Sequence, residues 1–331
     1  SEEEKSEGFD AGKLILDHIS DAYDWHLWGH TSIPLPIIVY SSERGLDVFM
    51  SSKFDHGHKT YKGYAIHDNH LVAVDELESL DSHDATINEE LTASLWDVSI
   101  KKNVASLFFT LALMLWLFLA VAKGYRKNEG NAPSGIQSFI EPLILFVRDD
   151  IAKPSIGEKK YERFMPFLLT IFFFIWISNI LGLIPIAPGG ANLTGNVAVA
   201  GVLALFTFII TLYVANKNYW RHILAMPGVP AGVLFILTPI EIFGMFLKPF
   251  VLMIRLFANI TAGHIIVLSF FSLIFIFGEM STGLGFGVSI MSLAFTIFMS
   301  MLELLVAFLQ AYVFTFLSAI YFGSAIEEAH H

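Results

Sequence analysis

The sequence predicts an all-α membrane protein with about five crossings, two of them long, strongly tilted helices forming a hairpin, and a small extramembrane α+β extension at the N-terminus. Three observations predict it. Of the 331 residues, 54% are hydrophobic and only 15% charged, with a mean hydropathy of +0.60, whereas about a quarter of residues are charged in soluble domains. The apolar residues fall in runs long enough to cross a bilayer. The charge is divided along the chain: residues 1–100 hold 20 of the 31 acidic residues against 6 of the 20 Lys and Arg, a net −14, and the remainder is mildly basic.

The first hundred residues are the extension. SEEEKSEGFD lacks the basic and apolar regions of a signal peptide, so such a peptide is either absent or already removed. ILDHISDAYDWHLWGH has a helical look, LPIIVYS and GLDVFMS read as short strands, and HGHKTYKGYAIHDNHLVAV suggests a hairpin. Eight of the 12 histidines fall here, including His26 with His30 and His56 with His58. Without a matching carboxylate pattern these are surface histidines rather than metal ligands. We expect no metal, no cofactor and no catalytic residue. Zero cysteines exclude disulfides and thiolate metal sites, and no basic patch with interleaved aromatics points to nucleic acid.

The membrane domain is expected over residues 101–331. VASLFFTLALMLWLFLAVA (104–122) is one crossing. The basic connector that follows, from Lys123 to Arg163, is cytoplasmic by the positive-inside rule, which puts the acidic extension outside, in the periplasm, and the C-terminus inside. Within the connector, SGIQSFIEPLILFVRDDIAK has helical amphipathic spacing, read as a helix along the membrane surface or as a short core helix. Residues 164–186 cross outward, contain Asn179 and end at LIPIAPGG; residues 196–215 return inward. The acceptor-like N-L-T at Asn192 lies against the membrane and is discounted.

The last two apolar runs, 249–277 and 286–322, would as helices reach roughly 43 and 55 Å at about 1.5 Å per residue, against a hydrocarbon core of about 30 Å. They are expected to tilt or curve, as an antiparallel hairpin about GEMSTGLGFG, with a helix boundary at Pro249.

Buried charge concentrates in this hairpin. Arg255 cannot discard its proton, and placing it in lipid costs about 3 kcal/mol on insertion scales. Either it snorkels to a headgroup or it is a permanent cation held for an ion pathway. Arg255 and Asn259 share a helix face with Ala258 and Ala262, while His264 lies half a turn round. On the second run Ser300, Glu303, Ala307 and Gln310 share a face. Glu241 lies in the preceding piece.

At these residues the chain resembles a family. KPFVLMIRLFANITAGHII closely resembles the segment of ATP synthase subunit a that carries its essential arginine, LELLVAFLQAYVFTFLSAIYF resembles that subunit's last helix, and SNILGLIPIAPGGANLTGN its earlier helix and loop. The likeness covers residues 100–325 and leaves the extension unexplained. It implies a proton-translocating, non-catalytic subunit of the membrane sector, multi-pass in a bacterial inner membrane. Two offset half-channels would meet a rotating c-ring, with peripheral-stalk b subunits and the lipid bilayer as further partners. Nucleotide would be bound only by partner catalytic subunits. It also implies that Arg255 faces the ring carboxylates, that Asn259 and Gln310 are its polar neighbours, that Glu241 lies on the cytoplasmic-side path, and that His264 and Glu303 form an outer proton relay. A secondary transporter with an anion site at Arg255 is the rival, but no internal repeat supports it. A membrane anchor for the acidic domain would leave the buried charges unexplained.

Overall fold

The structure, a computed structural model, describes residues 21–28, 31–75, 81–82, 85–128, 130–184, 189–226, 228–280 and 282–327; the side chains of 26, 28, 231 and most of 259–288 are outside the description. The chain forms two compact units, Ser1–Phe109 with Leu181–Leu193, and Thr110–Ile180 with Thr194–His331.

The first unit is built from β1 (Asp24–Trp28), β2 (Thr31–Pro34), β3 (Pro36–Ser41), β4 (Gly45–Met50), β5 (Tyr64–His67), β6 (His70–Ala73), the short α1 (Glu89–Ala93) and β7 (Trp96–Asp97). β4, β3 and β7 make one antiparallel sheet, with Ile37 opposite Phe49 and Tyr40 opposite both Leu46 and Trp96. Its inner face supplies Ile37, Val39 and Phe49 to a core completed by Tyr23, Phe54, Tyr64 and Leu71. β5 and β6 form the expected hairpin. Its two-residue turn, Asp68–Asn69, has φ of 48° and 60°, the left-handed pair that a type I′ turn requires and that Asp and Asn tolerate. Asn88 caps α1 by accepting from the Leu91 amide at 2.9 Å.

The helical look of residues 15–30 is corrected where the chain is described: Asp24–Trp28 is a strand paired with β2. Strand geometry suits its bulky Trp25 and Leu27, and the Trp25 indole N–H donates to the Gly189 carbonyl at 2.8 Å. Residues 15–20 lie outside the described residues. Gly189 itself has no room for a side chain, since a Cβ there would meet the Leu181 and Ile184 carbonyls.

The helices that follow are α2 (Lys102–Lys127), α3 (Ile136–Phe146), α4 (Lys153–Ile156), α5 (Met165–Leu183), α6 (Val197–Val214), α7 (Lys217–Leu224), α8 (Ala231–Met280) and α9 (Thr282–Ile326). Among the described residues, five helical stretches are long and apolar enough to cross a membrane: Lys102–Lys127, Met165–Leu183, Val197–Val214, Gly232–Ala258 and Ser289–Ile326. The chain is a multi-pass membrane protein.

α8 has 50 residues and α9 has 45, about 75 and 68 Å at 1.5 Å per residue. They pack along one another as a hairpin. Both are longer than the apolar runs that announced them. The boundary expected at Pro249 is absent, because α8 runs through both Pro239 and Pro249. In an apolar setting a broken helix would expose several backbone groups without water to bond them, and a proline removes only one bond.

α3 settles onto the bundle. Ile140 is buried, as are Val147 and Ile151 in the π-type turn Val147–Ala152 that follows. Phe146 meets the rings of Phe172, Phe308 and Tyr312 at centroid distances of 6.3, 5.9 and 5.7 Å. The segment packs against the protein on this side, while Ile136 and Phe139 are exposed on the other. α4 lies so close to α9 that a Cβ at Gly323 would strike the Ser155 carbonyl.

Candidate functional site

Arg255 is exposed on α8 between the buried Leu252 and Leu256. It lines a cavity of about 310 Å³ with those two leucines and with Val306, Leu309, Gln310, Val313 and Phe314 of α9. Among the described residues, no ion pair involves it. A guanidinium on a helix this apolar, with no carboxylate partner among the described residues, is the feature of this helix that most needs an account.

The wall of that cavity is fixed by buried amides. Gln310 Nε2 donates to the Leu256 carbonyl at 3.3 Å, one residue past Arg255. Asn179 of α5 donates from Nδ2 to Gln310 Oε1 at 3.0 Å and to the Ala307 carbonyl at 3.1 Å. Thr194, ahead of α6, donates to Asn179 Oδ1 at 2.5 Å. Asn179 and Thr194 are therefore held in a chain that runs through Gln310 to the backbone of α8, and each member orients the next. Gln310 was an expected site residue. Asn179 was visible as the one amide in an apolar run without a role attached, and nothing in the sequence tied Thr194 to it.

Glu303 sits on α9 against Gly263 of α8. A Cβ at Gly263 would lie 2.9 Å from Glu303 Oε1 and 3.5 Å from its Cγ, so the missing side chain makes the space the carboxylate occupies. Gly263 directly precedes His264 in sequence. The His264 and Asn259 side chains lie outside the described residues. Of the expected face on α9, Ala307 and Gln310 are buried, Glu303 is half-buried and Ser300 is exposed.

Glu241 is half-buried near the start of α8. Beside it, Tyr219 of α7 packs with Ile223, Met245 and Ala325; burial pushes the Tyr219 hydroxyl up, and the Glu241 charge adds to it. Along α8, Glu241 is 14 residues before Arg255 and Gly263 is eight residues after it, hence about 21 and 12 Å at 1.5 Å per residue. The arginine thus lies between two carboxylates held at different levels of one hairpin. Lys248 lies over the Tyr321 ring, 5.5 Å from its centroid.

Known proteins resemble this chain over most of its length. The family model described as ATP synthase A chain matches residues 104–323, and a model described as a domain of unknown function matches residues 14–98. ATP synthase subunit a of Chloroherpeton thalassium is 41% identical over 242 residues, covering 71% of this chain and 69% of that one. ATP synthase subunit a 2 of Chlorobaculum tepidum is 45% identical over 236 residues, 70% and 64% of the two chains. ATP synthase subunit a of an Anaeromyxobacter species is 37% identical over 273 residues, 79% and 63%. The chain belongs to the ATP synthase A chain family.

Proposed function

We propose that this chain translocates protons in the membrane sector of an ATP synthase, offering two offset half-channels to a rotating c-ring and facing the ring carboxylates with Arg255. The observation that carries the reading is the exposed Arg255, without an ion pair among the described residues, between carboxylates at two levels of one hairpin. The chain itself is non-catalytic, and nucleotide chemistry belongs to partner subunits. The ring, peripheral-stalk b subunits and lipid are its partners. Residues 1–100 lie outside the membrane on the periplasmic side, residues 101–331 form the membrane domain, and the C-terminus is cytoplasmic.

The steps follow from charge and solvation. A proton enters from outside through His264 and Glu303, a base and an acid, and neutralises a ring carboxylate. A neutral acid costs far less in lipid than an anion, so the site can rotate away through the bilayer. After nearly a full turn it reaches the inner path at Glu241, loses its proton, and is drawn as an anion to Arg255. A positive charge within about 4–6 Å lowers a carboxyl pKa by one to three units, so a protonated site cannot pass the arginine intact. Gln310, whose amide holds the Leu256 carbonyl, is the polar neighbour of the arginine in this reading, and Asn259 is assigned the same role. Purification of the chain from its native membrane tests the assembly: a ring of small hairpin subunits should come with it, and its absence would favour a self-contained transporter.

A further inference from the structure

The outer face of the β4–β3–β7 sheet carries no charge in a segment that is otherwise strongly acidic. Outward from it point Leu46 and Val48 of β4, 66% and 58% exposed, Trp96 of β7 at 73%, and Val98 just beyond it at 65%. Tyr40 and Met50 complete the patch and are also exposed. Pairing makes these residues neighbours: Leu46, Tyr40 and Trp96 form one row, and Val48 lies opposite Ile38, whose carbonyl takes the Val98 amide at 2.9 Å. An antiparallel sheet with one solvated face alternates apolar inward and polar outward. Here Phe49 and Asp47 lie on the core side, Asp47 paired with Lys62 and Tyr64, while Leu46, Val48 and Met50 point away from it, so the usual alternation is reversed and the outward side is the uniformly apolar one. A contiguous apolar patch of this kind marks an interaction surface.

What it meets is indicated by its attachment. Val98 is four residues from Lys102, where the membrane-crossing α2 begins, an extended reach of about 14 Å. The junction is not a loose linker. The Lys102 amide donates to the Ala22 carbonyl at 2.9 Å and the Asn103 amide to Asp21 Oδ1 at 2.9 Å, which ties the first turn of α2 to the extension. An uncharged aromatic and aliphatic face is therefore attached within about 14 Å of chain from the start of a membrane-crossing helix. Trp and Tyr are the residues that settle at headgroup level. The net −14 of residues 1–100 disfavours an anionic surface and selects a net-neutral one.

We propose that this sheet face docks on the lipid bilayer interface of net-neutral lipid, with Trp96 and Tyr40 at headgroup level, so that the extension lies on the membrane. This does not depend on the proton pathway. The chain has no cysteine, so single labels can be placed cleanly. The full chain, reconstituted in phosphatidylcholine vesicles, is labelled with a fluorophore at Val48→Cys or Val98→Cys, and at Asp68→Cys as an exposed control on the β5–β6 turn. Acyl-brominated lipid should quench the first two several-fold more than the control, at low and high salt and at every protein-to-lipid ratio. Leu46→Glu in the Val98→Cys background should abolish that difference, and because Leu46 is exposed the substitution leaves the core intact. Equal quenching at all three positions would overturn the proposal. So would protection of Val48→Cys from an impermeant maleimide without lipid quenching, which would mean a protein partner, or a second copy if protection fades on dilution into lipid.

Discussion

Asn179 donates to Gln310 at 3.0 Å, and Gln310 in turn holds the carbonyl of Leu256, the residue after Arg255. Two helices are thereby tied to the turn of α8 that presents the arginine. Asn179→Ala should destabilise the protein by about 1–3 kcal/mol, because Thr194 and Gln310 are left with buried polar groups unpaired. Asn179→Leu, which fills the volume, should lower ATP-driven proton pumping further than its effect on thermal unfolding explains. Unchanged pumping in a stable Asn179→Leu protein would make the amide a packing residue.

Gly263 and Glu303 share one space. Gly263→Val should push the carboxylate aside and slow pumping strongly, whereas Gly263→Ala needs a shift of only a few tenths of an ångström by a flexible side chain and should be mild. Glu303→Leu should also slow ATP-driven pumping in inverted vesicles, and exchanging His264 with Glu303 should recover part of the rate. A Glu303→Leu protein at full rate would remove this residue from the pathway.

In the extension, the Tyr23 hydroxyl donates to Asp97 Oδ2 at 2.5 Å and accepts from the Leu71 amide at 3.0 Å. Burial pushes the Asp97 carboxyl up, but hydrogen bonds from Ser99 and Tyr23 together with the nearby Lys101 outweigh it and hold the group below its ordinary 3.8. A depressed carboxyl stabilises the fold above its unfolded value, and that contribution is lost as pH falls through the lower folded value. Amide protection factors across residues 21–75, corrected for the intrinsic exchange rate at each pH, should therefore be high at pH 6 and fall below about pH 4. Tyr23→Phe should weaken this pH dependence and, by leaving the Leu71 amide unpaired, cost about 1–3 kcal/mol.

Much of this was legible in the sequence. The crossings were written as apolar runs, the hairpin as two runs too long for a bilayer, and the site as an arginine that lipid does not excuse. The extent of α8 was not, since local rules end a helix near Pro249 while an apolar environment keeps it going. β1 was misread because a short aromatic segment declares no period of its own until β2 pairs with it. The link from Asn179 to Thr194 and Gln310 joins residues 15 and 131 positions apart, and pairing at that distance leaves no local signal.

The proposed orientation rests on the basic connector. Protease added outside intact spheroplasts should trim residues 1–100 and spare residues 123–163; the reverse pattern would invert the topology and with it the order of the two half-channels.

Arg255 carries the central claim. Arg255→Lys should fail to couple, because an ammonium makes a single-point contact and can lose its proton when buried, whereas guanidinium stays charged and binds in two places. On the proposed reading, Arg255→Ala removes the barrier and leaves both half-channels in place. The direct measurement is proton uptake by vesicles stripped of the soluble catalytic sector, set beside gradient-driven ATP synthesis by the intact complex. Arg255→Ala should abolish synthesis while passive proton flux persists or rises; ATP synthesis at a near-normal rate in Arg255→Ala membranes would show that this arginine is not the gate.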